Sequence, residues 1–333
     1  MRFITISLLL IGSSPLPAQS LRSLADARGI HIGTAVAPSH LSEAAYAETL
    51  AREFNQAEPE NAMKFGPIHP GPKEYNFGPA DAVVEFARAH KMDVRGHTLV
   101  WHNQVSNWVK NGNFTPEQLT AILDEHIQTV VGRYAGKVYA WDVVNEAFET
   151  DGSLRKTIWS GSPDYIEHAF RQAHEADPKA LLFYNDYSAE VVNKKSDAIY
   201  KMAQDFKARR VPLDGVGLQM HVGLKPGALS SMEANIKRLT DLGLQVQITE
   251  LDVKLPLEVT PESLAAQAKV YGDIVGMCLR NAKCTAVQTW GFTDKYSWIP
   301  GANKGFGAAL ELDVNYQPKP AYQAIQEALK IAR

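Results

Sequence analysis

The chain has 333 residues, 45% of them hydrophobic and 21% charged, the composition of an ordinary globular protein with enough apolar residues for a large core. Its formal net charge is −3, and no basic stripe or long run of like charge appears. A nucleic-acid partner or an anionic membrane surface is therefore not expected, while a neutral polymer, a small molecule or another protein stays open.

Residues 1–20 read as a secretory signal peptide. Arg2 supplies the positive start, an uncharged and largely apolar run extends from Phe3 to Gly12, and Pro15 and Pro17 break any helix. Ala18-Gln19-Ser20 then offers a small-x-small cleavage site. The run falls far short of the roughly 20 residues that a spanning helix needs. The expected mature chain, 21–333, is exported (extracellular or periplasmic), monomeric and free of the membrane once the signal is removed.

From there, short β-branched or apolar runs alternate with longer amphipathic segments. The strand candidates, in order, are 30–36, 54–58, 92–99, 138–144, 180–184, 215–220, 244–248 and 285–290. The second is weak and is placed mainly by its position in the series. Helical periodicity marks 42–54, 79–90, 116–134 and 261–279, and a last helix covers 319–331. Ser42, Thr115-Pro116 and Thr260-Pro261 supply helix-start signals. Cys278 and Cys284 lie where the seventh helix gives way to the eighth strand. In an exported protein such a pair reads as a disulfide, since a zinc site would need further ligands that are not there.

No Pro/Gly/Ser-rich linker and no internal repeat divides the mature chain. Eight strands alternating with about eight helices predict a single-domain α/β fold, the (β/α)8 TIM barrel. The competing doubly wound sheet often carries a glycine-rich loop after its first strand; Gly29-Ile30-His31-Ile32-Gly33-Thr34 does not match it.

In such a barrel, chemistry gathers where strands end and βα loops begin. Those ends read Glu60-Asn61-Ala62-Met63-Lys64, Gly96-His97-Thr98-Leu99-Val100-Trp101-His102, Trp141-Asp142-Val143-Val144-Asn145-Glu146, Tyr184-Asn185-Asp186-Tyr187, Gln219-Met220-His221, Thr249-Glu250-Leu251-Asp252 and Trp290-Gly291. A lone Glu at a strand end is usually a solvated loop residue. Two of them on opposed strands, among Trp, His, Asn and Gln, point instead to a sugar site: indole faces stack on the apolar faces of a pyranose, and amides and carboxylates pair with its hydroxyls. Breaking a glycosidic bond needs one carboxylic acid to protonate the leaving oxygen and a second carboxylate to attack carbon or activate water.

Four motifs in this order, Gly96-His-Thr-Leu-Val-Trp-His102, Trp141-Asp-Val-Val-Asn-Glu146, Ile248-Thr-Glu-Leu-Asp252 and Trp290-Gly-Phe-Thr-Asp-Lys-Tyr-Ser-Trp298, carry a resemblance. From about Leu24 to its end, the chain resembles family 10 of the glycoside hydrolases, the endo-β-1,4-xylanases. The resemblance implies a retaining mechanism on xylan or xylo-oligosaccharides, with no metal and no organic cofactor. It assigns Glu146 as acid/base and Glu250 as nucleophile, with His221 and Asp252 orienting the nucleophile. Asn145 would bond the sugar 2-hydroxyl, and Gln219 would lie near the acid/base. His97 and Trp101 would line the subsite of the attacked sugar, and Glu60, Asn61 and Lys64 the next one. Trp290 and Trp298 would wall the cleft, and Tyr187 would serve the leaving-group side. A carboxyl separation of about 5–5.5 Å would accompany retention.

Trp141 and Asp142 are read as structural, and Asp294 as a loop-organising carboxylate. His102 could face the sugar or be a buried hydrogen-bonding residue, and is left out of the site. Phe65, Asn103 and Ser188 depart from the family pattern and bear on subsite affinity. Three other readings stay open: a metal-dependent hydrolase using His97, His102 and His221, a sugar-binding protein without activity, and a glycosidase acting on cellulose.

Overall fold

The computed structural model describes residues 19–161 and 164–331. The expected signal peptide falls almost wholly on residues 1–18, outside the described residues. Ser20 is the N-cap of helix α1 (Leu21–Arg28), its hydroxyl accepting from the Ser23 amide.

Eight strands follow: β1 (His31–Val36), β2 (Gln56–Pro59), β3 (Asp93–Val100), β4 (Ala140–Asn145), β5 (Leu181–Asp186), β6 (Gly215–Leu218), β7 (Gln245–Pro256) and β8 (Cys284–Thr289). Each pairs in parallel with its successor, and β8 pairs with β1, so the sheet closes on itself. Helices α2 (Ala44–Glu53), α3 (Gly78–Ala89), α4 (Pro116–Arg133), α5 (Tyr165–Ala176), α6 (Lys194–Ala208), α7 (Leu229–Asp241), α8 (Pro261–Leu279) and α9 (Pro320–Lys330) follow the strands in turn. This is the single-domain (β/α)8 barrel that the alternation predicts. The weak second strand is real, and short because Pro59 ends it.

Local chemistry explains most helix starts. Thr115 and Thr260 each form a capping box, with Gln118 and Ser263 respectively. Ser42 does not cap α2. Its N-cap is Glu43, whose side chain leaves the helix end and instead accepts from Lys295, Tyr296 and Tyr316. Cys278 and Cys284 are disulfide-bonded with Cα atoms 5.2 Å apart, tying the end of α8 to the start of β8.

Strand β7 is the main departure from the expected boundaries. It runs well past residue 248 and rises above the barrel, where it pairs with His221–Gly223 on one side and, antiparallel, with Phe306–Gly307 on the other. Glu250 and Asp252 therefore stand on a hydrogen-bonded strand and not on a loop.

The barrel interior is polar at its centre. Arg95 of β3, fully buried, bonds Glu58 of β2 at 2.9 Å and Gln247 of β7 at 2.9 Å, and forms a two-pronged bond with Asp142 of β4. Beside it, Gly96 leaves room for Trp141, since a Cβ at Gly96 would lie 2.2 Å from the indole. Replacing Gly96 with Ala should therefore lower stability by about 1–3 kcal/mol, as overpacked cores do, and urea unfolding of the purified variant measures it.

Candidate active site

At the C-terminal ends of the strands lies a cleft of about 640 Å³. Glu60, Asn61, Lys64, His97, Trp101, Asn145, Tyr187, Gln219, His221, Trp290 and Trp298 all line it, together with Glu146, Glu250 and Asp252. The strand-end reading thus gathers its whole candidate set in one place.

Glu250, almost fully buried, accepts from Asn185 Nδ2 at 2.7 Å and meets His221 Nε2 at 3.0 Å. The other ring nitrogen of His221 meets Asp252 Oδ2 at 2.8 Å, and the Trp298 indole N–H donates to the same oxygen at 2.9 Å. Burial alone would push Glu250 up, but the bond from His221, the imidazoles of His97 and His221, and the donation from Asn185 outweigh it and hold the carboxyl at about 2. Burial works against a charge on His221 too, yet Asp252 and Glu250 raise it to about 10. The result is an imidazolium donating to two carboxylates, with Glu250 ionised and fixed in one rotamer.

Glu146 has different surroundings. It follows β4 in the left-handed region, with φ +59°, and its amide donates to the Asn185 carbonyl at 2.9 Å. Neutral groups donate to its carboxyl: the Trp101 indole N–H at 2.9 Å, Gln219 Nε2 at 3.0 Å and Asn145 Nδ2 at 3.3 Å. Asn185 donates to both Asn145 and Glu250, so a chain of amides joins the two carboxylates.

On one flank, Lys64 donates to Asn61 at 3.0 Å and lies over the rings of Trp101 and Trp290. Burial lowers its pKa against the pull of Glu250, Glu60 and Glu58. On the other flank, Tyr187 accepts from Arg155 at 3.1 Å, and the buried Lys195 ammonium sits 3.7 Å from the centre of its ring.

The structural readings fare as follows. Trp141 is buried in the core, and Asp142 bonds Arg95 and His97 beneath the cleft. Asp294 accepts from the Leu310 amide at 2.9 Å and from Lys319 at 2.8 Å, organising its loop. His102, left out by the sequence reading, does line the cleft, with Nε2 3.9 Å from Glu146 Oε2. Burial lowers its pKa against the pull of the nearby Glu146. Asn185, Lys195 and Arg155 were also missed; Asn185 was visible at the end of its strand, while the other two lie in a helix and a loop without periodic signal.

The three histidines of the metal reading do not converge. Among the described residues, the side chains spaced to hold an ion are Glu58, His97 and Asp142. Arg95 already bonds both of those carboxylates and supplies the positive charge there.

Opposed carboxylates in an aromatic, amide-rich cleft on a (β/α)8 barrel define a glycoside hydrolase. The family model described as Glycosyl hydrolase family 10 matches residues 20–328. Endo-1,4-beta-xylanase B of Thermotoga neapolitana is 46% identical over 325 residues, 96% of this chain and 93% of that protein. The crystal structure of native xylanase 10B from Thermotoga maritima is 48% identical with a TM-score of 0.91, over 93% of this chain and 98% of that one. Xylanase 10B from Thermotoga petrophila RKU-1, solved with xylobiose, is 46% identical with a TM-score of 0.93, over 95% of this chain and 99% of that one. The chain belongs to glycosyl hydrolase family 10.

The ion triad sets a pH window. His221, raised from 6.5 to about 10, contributes stability that is complete below about 6.5 and lost as pH rises through about 10. Glu250, lowered from 4.5 to about 2, contributes stability present above about 4.5 and lost as pH falls through about 2. Asp252→Asn removes the larger support of the imidazolium. The alkaline fall in the thermal midpoint should then begin nearer neutrality than in the unaltered protein, which melting curves across pH will measure.

Proposed function

We propose that this chain is a secreted, monomeric endo-β-1,4-xylanase that cleaves internal bonds of xylan with retention of configuration. The observation that carries the chemistry is the contrast between the two carboxylates. Glu250 is kept ionised by an imidazolium, whereas Glu146 is surrounded by neutral donors. An ionised carboxylate with one fixed rotamer suits attack on the anomeric carbon, and its partner suits protonation of the departing oxygen. Water then enters where the leaving sugar was, Glu146 takes its proton, and the glycosyl–Glu250 ester is cleaved. Asn145, bonded to Glu146 and to the Asn185 that holds Glu250, would donate to the sugar 2-hydroxyl as charge develops on the ring. No metal or organic cofactor is needed for any of these steps.

Xylan as substrate rests on the relatives named above and on the shape of the cleft. Xylose lacks the hydroxymethyl group of glucose, so a wall can exclude cellulose by closing the space which that group occupies. Trp298 is the candidate wall, exposed at the cleft and held by its bond to Asp252. Glu60, Asn61 and Lys64 would fix the height of the adjacent sugar. Export rests on the pattern of residues 1–20.

Proton NMR of the first products tests retention. The β-anomer is expected to form first; early α-anomer would mean inversion and would remove Glu250 from the nucleophile role. For specificity, kcat/KM on aryl xylobioside and aryl cellobioside should strongly favour the former. Trp298→Ala should narrow that ratio, partly by lowering xylobioside turnover, and an unchanged ratio would move the discrimination to Lys64 and its neighbours.

A further inference from the structure

We propose that Arg155 is a positioning residue that ties the leaving-group platform to the proton donor, so that the grip on the departing sugar and the delivery of the proton are set by one side chain. This rests on Glu146 being the general acid.

The loop after β4 folds back on itself. Phe148 bridges Leu154, the Glu149 amide donates to Ser153 O at 2.8 Å, and the Arg155 amide donates to Ala147 O at 2.7 Å. Arg155 is thereby returned to the root of the loop. There its Nε donates to the main-chain carbonyl of Glu146 at 2.9 Å, and Nη2 donates to the Tyr187 hydroxyl at 3.1 Å. Its remaining charge faces Glu149, with Nη1 3.1 Å from Oε1 at the solvent side. Among the described residues, Arg155 alone donates to both Glu146 and Tyr187.

Both ends of this link need holding. A residue with a Cβ is disfavoured in the left-handed region that Glu146 occupies, so its backbone keeps that conformation only where the surroundings impose it. Its amide is pinned by Asn185 and its carbonyl by Arg155. Tyr187 is held at its amide by Asp186, at its face by Lys195 and at its hydroxyl by Arg155. The planar guanidinium makes both contacts from one rigid group, which a lysine ammonium on a flexible stem cannot reproduce. A proton is transferred efficiently only across a short, aligned contact, so fixing Glu146 relative to the leaving sugar acts on the steps in which Glu146 gives or takes a proton, the first of which is departure of the leaving group.

The test is kcat/KM, which reports the first chemical step, for aryl β-xylobiosides from dinitrophenyl, whose leaving group departs unaided, to phenyl, which requires a proton. Arg155→Lys keeps the charge, and Glu149→Gln serves as the solvent-side control. For Arg155→Lys, the loss should grow from at most about threefold on the dinitrophenyl substrate to on the order of a hundredfold on the phenyl one. Glu149→Gln should follow the unaltered enzyme across the series. A purely structural role predicts equal losses on every substrate, and that outcome overturns the proposal. Glu146→Ala on the same series separates the two readings. If its loss does not steepen with poorer leaving groups, the acid role itself falls; if it steepens and Arg155→Lys stays flat, only the positioning role falls.

Discussion

A single buried guanidinium underlies this site. Arg95 lies in the middle of the barrel with no contact to water, and its bonds to Glu58, Asp142 and Gln247 join β2, β3, β4 and β7 beneath the cleft. Burial opposes its charge, but the two carboxylates more than restore it. Asp142 in turn holds His97 at 2.8 Å, and the His97 ring contributes to the field that keeps Glu250 ionised. Removing one member would strand an opposite charge in the core, a far larger cost than losing a surface pair. The floor and Glu250 are thus parts of one electrostatic structure.

The two carboxylates are differentiated by what surrounds them. Identical side chains acquire unlike chemistry because one is given an imidazolium and a strand, the other indole, amides and a turn. Neither arrangement needs a flexible element to assemble it, and the cleft is lined by side chains already bonded to one another.

Much of this could be read from the sequence because barrel chemistry sits at strand ends, where Trp141 to Glu146 and Ile248 to Asp252 stand out against apolar runs. The strand count and order were legible for the same reason. What escaped was long-range or irregular. The upper half of β7 lies beyond the strand expected at 244–248, although Glu250-Leu251-Asp252-Val253-Lys254-Leu255 alternates polar and apolar residues as a strand can. His102 could not be separated from a buried histidine without knowing where Glu146 points. Arg155 has no signature, since only the folding of its loop brings a surface-type residue to the main chain of Glu146. Ser42 looked like a cap because local spacing cannot reveal that Glu43 is claimed by Lys295 and two tyrosines from far along the chain.

The unequal mounting of the two carboxylates has a thermal consequence. Glu250 rides on a strand bonded along both edges, which opens only with the barrel itself. Glu146 begins a loop whose shape is kept by a few bonds among residues 146–155, and such segments open locally at a lower cost than the core. On the roles proposed for Glu146 and Glu250, warming would erode proton delivery before it disturbs the nucleophile. The enzyme would lose its natural, poorly departing sugars first, while still turning over activated substrates close to the temperature at which the barrel melts.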